Sequence, residues 1–307
     1  MFLHRLLSSS VLFVLISTTL PFNDASIILE NNTHLNTAII PLGITHPRGG
    51  GHNVLMMTPY SSPSHLVLYM PLARALAERG HKVTLLHNNY EFKFDPHENL
   101  TLLKHRFTVL DVENVDLFEL GGSIFKAITF QLRALWIISR DFYEDPVVKE
   151  LYKRKDEFDV VIIDNYFNEF AYPFAYKKPF IALVTIINDP TYNARFGNAL
   201  NPAYVSNSFD HYPAGMGLFT RIKNLAYTIA IPLLLDLVTY KPVQYQMWQQ
   251  FPDLPSLREM ERNQSLSFTN SHFSLDEAIP QIPSQIDIAG IQCRSGNPLP
   301  MELKEFV

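Results

Sequence analysis

The chain has 307 residues, 47% of them hydrophobic and 18% charged, with a formal net charge of -5 and a pI near 6.1. That length houses one large domain or two ordinary ones, and the composition supports a sizeable core, which excludes disorder as the default. No basic run offers the face that displaces counterions from phosphate, so nucleic acid is excluded as an expected partner.

In chain order, Met1 to Arg5 carries a basic residue and is followed by an apolar run from Val11 to Leu20. A basic start before roughly 7–15 apolar residues is the pattern of a secretory leader and is too short to span a bilayer. Residues 1–25 are therefore expected to be a signal peptide cut near Ala25 and Ser26, although Asn23 is large for the −3 position; a buried N-terminal strand is the alternative. Acceptor sequons begin at Asn31, Asn99 and Asn263 and fit passage through a secretory lumen. Cys293 is the single cysteine, so no intrachain disulfide can form. Residues 26–52, with Gly49, Gly50 and Gly51, lack periodicity and read as a loop or an extra strand.

From Asn53 the pattern changes. Val54–Thr58 is a short apolar run stopped by Pro59, which predicts a buried strand. A serine- and proline-rich loop follows, then Leu66, Tyr69, Met70, Ala73, Leu76 and Ala77 share one helical face up to Gly80, a natural C′ residue. Lys82–Leu86 predicts a second strand, completing a β-α-β unit with parallel strands. Pro71 lies inside the helical window and removes the bond to the Val67 carbonyl, so the helix either starts at Ser64 and kinks or starts near Met70 with His65 in the loop. The continuous apolar face favours the first.

Further on, Leu100–Leu110 predicts a strand or strand pair, Ser123–Phe142 a long amphipathic helix and Pro146–Lys155 a shorter one. Asp159–Ile163 predicts a buried strand ending at Asp164, Glu169–Tyr176 a short helix, and Phe180–Thr185 a further strand. Such alternation predicts a doubly wound α/β domain. Thr191–Tyr212 is polar and aromatic without periodicity, which suits a lid, an acceptor loop or an ordinary surface loop. Leu225–Val238 is apolar but shorter than the roughly twenty residues a spanning helix needs. It is expected to be buried, with a membrane-surface helix as the second choice.

Ligands of open parallel sheets bind beyond the carboxyl ends of the strands, where His65 and Asp164 both fall. A neutral imidazole can take a proton from a hydroxyl, and a carboxylate on its other nitrogen fixes the tautomer and stabilises the imidazolium. If Ser64 caps the helix, the positive helix end keeps the ring neutral. Spacing alone leaves plainer alternatives open: a solvated loop histidine, and an aspartate capping the helix that follows. No glycine-rich phosphate loop and no HExxH or Cys/His cluster is present, so neither a cofactor nor a metal is expected.

Met56 to Pro59, Ser62 to His65 and Leu76 to Thr84 together resemble the opening of animal UDP-glucuronosyl- and UDP-glucosyltransferases, the arthropod branch above all. Phe158 to Asp164 is similar to that family's second acidic motif. Leu254, Pro255, Glu261 to Asn263, Ser267 to His272 and Ile288 to Ile291 are similar to its approach to an interdomain linker, and Pro298 to Phe306 to the linker itself. The resemblance implies a GT-B architecture of two facing Rossmann-like domains, with residues 53–290 as the N-terminal, acceptor-binding one and 291–307 opening the linker. It implies His65 as base and Asp164 as its partner, with Ser64 and Phe167 as candidate acceptor contacts. The implied reaction is inverting and metal-independent, passing a hexosyl group from a UDP-sugar co-substrate to a small lipophilic alcohol, phenol or acid. The family's UDP-binding half and C-terminal membrane helix are expected beyond residue 307, so the chain by itself is expected to be inactive. A truncated lumenal protein that binds lipophilic ligands or full-length relatives is the alternative, and self-association or pairing with relatives is open. The implied location is the endoplasmic reticulum lumen, or outside the cell for a true truncation.

Overall fold

A computed structural model describes residues 50–88, 96–107, 124–185, 189–207, 215–274, 279–293, 298 and 300–306. The leader, Asn31 and most of the lead-in lie outside the described residues.

Strand β1 (Asn53–Thr58) is followed by helix α1 (Pro63–Glu78), β2 (Lys82–Asn88) and β3 (Leu100–His105). Next come α2 (Ile124–Glu144), α3 (Pro146–Lys153), β4 (Val160–Asp164), α4 (Tyr172–Ala175) and β5 (Phe180–Val184). The chain then forms α5 (Pro190–Phe196), α6 (Leu218–Leu235), a π-helical turn Asp236–Tyr240, α7 (Lys241–Gln250) and α8 (Leu257–Glu261). It finishes with β6 (Gln264–Thr269), β7 (Gln285–Asp287) and α9 (Met301–Phe306).

The seven strands among the described residues pair in parallel in the order β3-β2-β1-β4-β5-β6-β7. Because successive strand side chains point to opposite faces, β1 divides its apolar residues between two cores. Leu55 and Met57 join α2, α3, α4 and α7 on one face, while Val54 and Met56 join α1 on the other. Burial on both faces explains why these strands read as continuous apolar runs without alternation. The fold is a Rossmann-like parallel sheet with helices on both faces, as the sequence predicts.

Helix α1 begins at Pro63, a residue suited to the first turn because its missing N–H had no partner there. It continues through Pro71, which excludes a start near Met70 and puts His65 in the first turn. The N-cap is Ser62, with no side-chain capping bond, and not Ser64, which is the second helical residue. Proline supplies the start, so serine at position 64 is not needed for it. At the other end Gly80 takes φ 86°, the left-handed conformation expected of a C′ residue. A Cβ on Gly51 would come within 1.7 Å of the Gly80 carbonyl oxygen, so that crossing of loop and helix end requires glycine.

The expected burial of Leu225–Val238 is wrong. In this stretch Tyr227, Ile231 and Val238 are buried, whereas Leu225, Ile229, Leu233 and Leu237 stand 45–67% exposed. Among the described residues only one flank of the helix is packed. Three further departures are smaller. Described residues of Leu100–Leu110 hold a single strand; Glu169–Tyr176 divides into a 3-10 turn, Glu169–Ala171, and α4; and Thr191–Tyr212 begins as α5, capped by the Asp189 carboxylate, which accepts from the Thr191 and Tyr192 amides.

Candidate active site

The strand order reverses direction between β1 and β4, the position at which a doubly wound sheet leaves a crevice past its carboxyl edge. Thr58 ends β1, Asp164 ends β4 and Thr185 directly follows β5, so three polar residues terminate three adjacent apolar strands. His65 reaches the same edge from the first turn of α1. Its backbone N–H bonds the Ser62 carbonyl oxygen at 3.1 Å.

The imidazole Nδ1 of His65 is hydrogen-bonded to Oδ2 of Asp164 across 99 residues of sequence, and both groups are buried. Thr58 Oγ1 donates to the same carboxylate oxygen at 3.2 Å. Oδ1 accepts from Thr185 Oγ1 and from the Tyr166 backbone N–H, each at 3.1 Å. Thr185 Oγ1 also lies 3.1 Å from His65 Nδ1. A carboxylate accepts and does not donate, so this network assigns the proton to Nδ1 and leaves the Nε2 lone pair free. Nε2 is buried and has no hydrogen-bond partner among the described residues. Burying an unmatched acceptor costs about 1–3 kcal/mol. His65 as a whole is 2% exposed and its side chain 3%.

Neighbouring side chains hold the two loops together. Asn168 accepts from the Tyr60 N–H at 2.7 Å and donates to the carbonyls of Tyr60 and Tyr166 at 3.0 and 2.7 Å. Asn88 donates to the Ser61 carbonyl at 2.6 Å. The loop from Thr58 to His65 is thereby tied to the turn after β4. Phe167 within that turn has φ 55°, rare for a bulky residue, and packs half-buried against the core face bearing α2. Ser64 is exposed, its Oγ 2.6 Å from Ser62 Oγ.

Sequence reasoning placed His65 and Asp164 at one edge; it did not find Thr58, Thr185 or Asn168. The available signal was a polar residue closing each apolar run, visible for Thr58 and Thr185 and read only as strand ends. His105 also stands at this edge, its Nε2 donating to the Pro59 carbonyl at 2.7 Å. Burial pushes it down to about 4, against the Pro59 carbonyl and Asp145, which raise it. Among the described residues no three His, Cys, Asp or Glu side chains are grouped to hold a metal ion. Of the sequon asparagines, Asn99 is half-buried and donates to the Ala77 carbonyl at 3.3 Å, whereas Asn263 is exposed just before β6.

A parallel α/β sheet with a histidine–carboxylate pair at its switch-point crevice defines a Rossmann-like α/β domain. Residues 53–307 match the family of UDP-glucuronosyl and UDP-glucosyl transferases, and the chain belongs to that family. It is 26% identical to UDP-glycosyltransferase UGT5 of Dactylopius coccus over 83% of this chain and 50% of that protein. Identity to UDP-glucosyltransferase 2 of the same organism is 28% over 84% of this chain and 51% of that one. Human UDP-glucuronosyltransferase 2B10 is 25% identical over 77% and 48%. The chain thus spans about half the length of the curated relatives it matches. Among solved structures, Arabidopsis thaliana UGT89C1 complexed with quercetin superposes with a TM-score of 0.42 at 12% identity, covering 83% of this chain and 54% of that one.

Proposed function

We propose that this chain is the acceptor-binding part of a GT-B UDP-glycosyltransferase, with His65 as general base and Asp164 as its positioning partner. The observation that carries this is the lone, buried Nε2 on a ring whose other nitrogen is committed to a carboxylate. An acceptor hydroxyl placed there gives its proton to Nε2 while its oxygen bonds the first carbon of the sugar. The bond from that carbon to the phosphate oxygen breaks from the opposite side, and the electron pair leaves with UDP. The anomeric centre inverts, and no metal takes part. Asp164 holds the ring and balances the imidazolium, and its remaining acceptor positions are satisfied by Thr58, Thr185 and the Tyr166 amide.

The acceptor is read as a small lipophilic alcohol, phenol or acid, in keeping with the resemblance of the loop around His65 to that family. The UDP-sugar is assigned to a donor half outside this chain, and holding electrophile and nucleophile together can supply about 7–11 kcal/mol of barrier lowering. The leader-like start at Met1 to Leu20 and the sequons support the endoplasmic reticulum lumen as its location, with secretion the alternative for a true truncation.

The test joins this chain to a family donor half, supplies UDP-glucose or UDP-glucuronic acid with a simple phenol, and follows UDP release. His65→Ala is expected to lower kcat/KM by about 10²–10⁴ per folded molecule, the stability lost with the buried ring being measured separately by melting curves. A rate within a few-fold of the parent would remove His65 from the mechanism.

A further inference from the structure

Leu218–Gln250 is, among the described residues, a run of 33 residues long and apolar enough to cross a membrane, yet only 28% of its most apolar stretch is buried. At about 100° per residue, the exposed side chains of α6 fall on one arc. Leu225, Leu218, Ile229, Ile222, Leu233 and Phe219 cover about 120° of the helix circumference and are 45–86% exposed. The opposite face holds Asn224, Tyr227 and Ile231, all buried. Among the described residues the helix therefore presents an apolar face that no apolar partner covers.

Charge identifies what that face suits. On the same helical projection Arg221 and Lys223 lie at the two margins of the arc, one on each side, and no carboxylate of α6 itself falls within it. From Leu218 to Gln250 the basic residues are Arg221, Lys223 and Lys241, and the single acid, Asp236, is paired with Arg258 at 3.0 Å. This local excess of positive charge sits in a chain whose formal net charge is -5. Past the end of α6 the surface continues through Leu237 into a shallow groove with Lys241, Arg133 and the stacked rings of Trp136 and Tyr245, whose centroids are 4.9 Å apart. An apolar stripe edged by lysine and arginine, with tryptophan and tyrosine beside it, matches the depth profile of a lipid interface: hydrocarbon under the stripe, aromatic rings at headgroup level and basic tips among the phosphates.

We infer that the outer face of α6, together with the Trp136–Tyr245 groove, docks on an anionic lipid surface and lies in its plane. Crossing the bilayer is opposed by the inner flank. Asn224 accepts from the Asn207 backbone and side chain at 3.0 and 2.8 Å and donates to the Pro202 and Val205 carbonyls at 2.7 Å. Carrying that helix through hydrocarbon would break all of these bonds where nothing replaces them. The inference stands independently of the proposed transferase chemistry.

A probe confined to the arc tests it without interference from the apolar leader. With the single cysteine removed by Cys293→Ser, Ile229→Cys is labelled with an environment-sensitive nitrobenzoxadiazole and titrated with phosphatidylcholine/phosphatidylserine vesicles. The expected result is a blue shift at position 229 and none at a control label placed by Lys149→Cys on α3. Arg221→Glu combined with Lys223→Glu is expected to weaken the vesicle titration at least about tenfold. No shift at 229 with vesicles overturns the inference. So does a blue shift that grows with protein concentration in their absence, which would show a second copy covering the face, or an equal shift at 149.

Discussion

At the scale of single residues, the His65–Asp164 pair is constrained from every side but one. Asp164 accepts from Thr58, Thr185 and the Tyr166 amide besides the imidazole, so its position does not depend on histidine alone. Replacing the carboxylate by an amide puts a possible donor opposite Nδ1–H and favours the tautomer that blocks Nε2. Asp164→Asn is accordingly expected to lower turnover of the joined enzyme by up to about 10⁴. Thr185→Val, which leaves the carboxylate and its other donors, should cost far less; steady-state kinetics on both variants separates the two roles. A second prediction concerns modification. The Asn99 amide nitrogen is committed to the Ala77 carbonyl, while Asn263 is exposed. When the chain is expressed behind a secretory leader, endoglycosidase treatment should show a glycan lost with Asn263→Gln and unaffected by Asn99→Gln.

Element by element, the strand ends do the placing. β1, β4 and β5 each end in a buried polar group at the same edge because parallel pairing holds their carboxyl ends in line. Helix α1 adds the imidazole, and its two ends are fixed by proline and glycine. The Gly51 crossing is the sharpest packing constraint there. Any Cβ meets the Gly80 backbone at 1.7 Å, and backbone cannot swing aside as a side chain can. Gly51→Ala is expected to cost about 1–3 kcal/mol through overpacking, against nothing for Gly50→Ala, whose Cβ meets open space. Urea titration of the two variants decides it. The sequence did not separate β6 and β7 from their loops. β6 carries only Leu266 and Phe268 as apolar residues among Gln264, Ser265, Ser267 and Thr269, too few to stand out as a buried run, and β7 is three residues long, below what periodicity resolves.

For the whole molecule, the buried side chains of His105 and Glu169 carry opposing pH dependences. His105 is held near 4 in the folded protein against an ordinary 6.5, chiefly by burial. Between those values the unfolded chain takes up a proton that the folded one refuses, so stability falls as pH drops through this window, by about 3 kcal/mol. Glu169 is raised from 4.5 to about 7, by burial first and by Glu261 next, against Arg195 and Arg258. There the folded protein keeps the proton that the unfolded chain releases, so stability falls as pH rises from 4.5 to 7, by a similar amount. The two slopes oppose each other across the shared range. Glu169→Gln removes one, and is expected to gain stability relative to the parent progressively from pH 4.5 to 7, with no further gain above; melting curves at several pH values show whether it does.

The sequence by itself determined the α/β class, the β-α-β opening and the bounds of β1, α1 and β4 to within a residue or two, and it put His65 and Asp164 near strand ends without deciding that they meet. Those features depend on local chemistry: apolar run length, proline and glycine at helix ends, and a charged residue closing a strand. Tertiary structure alone decided which side chains complete the Asp164 network, because Thr58 and Thr185 are brought to it by strand order and register. It also decided the fate of Leu225–Val238. Hydrophobicity states what a helix prefers to avoid, and only the packing of its neighbours determines which face is left in contact with the outside.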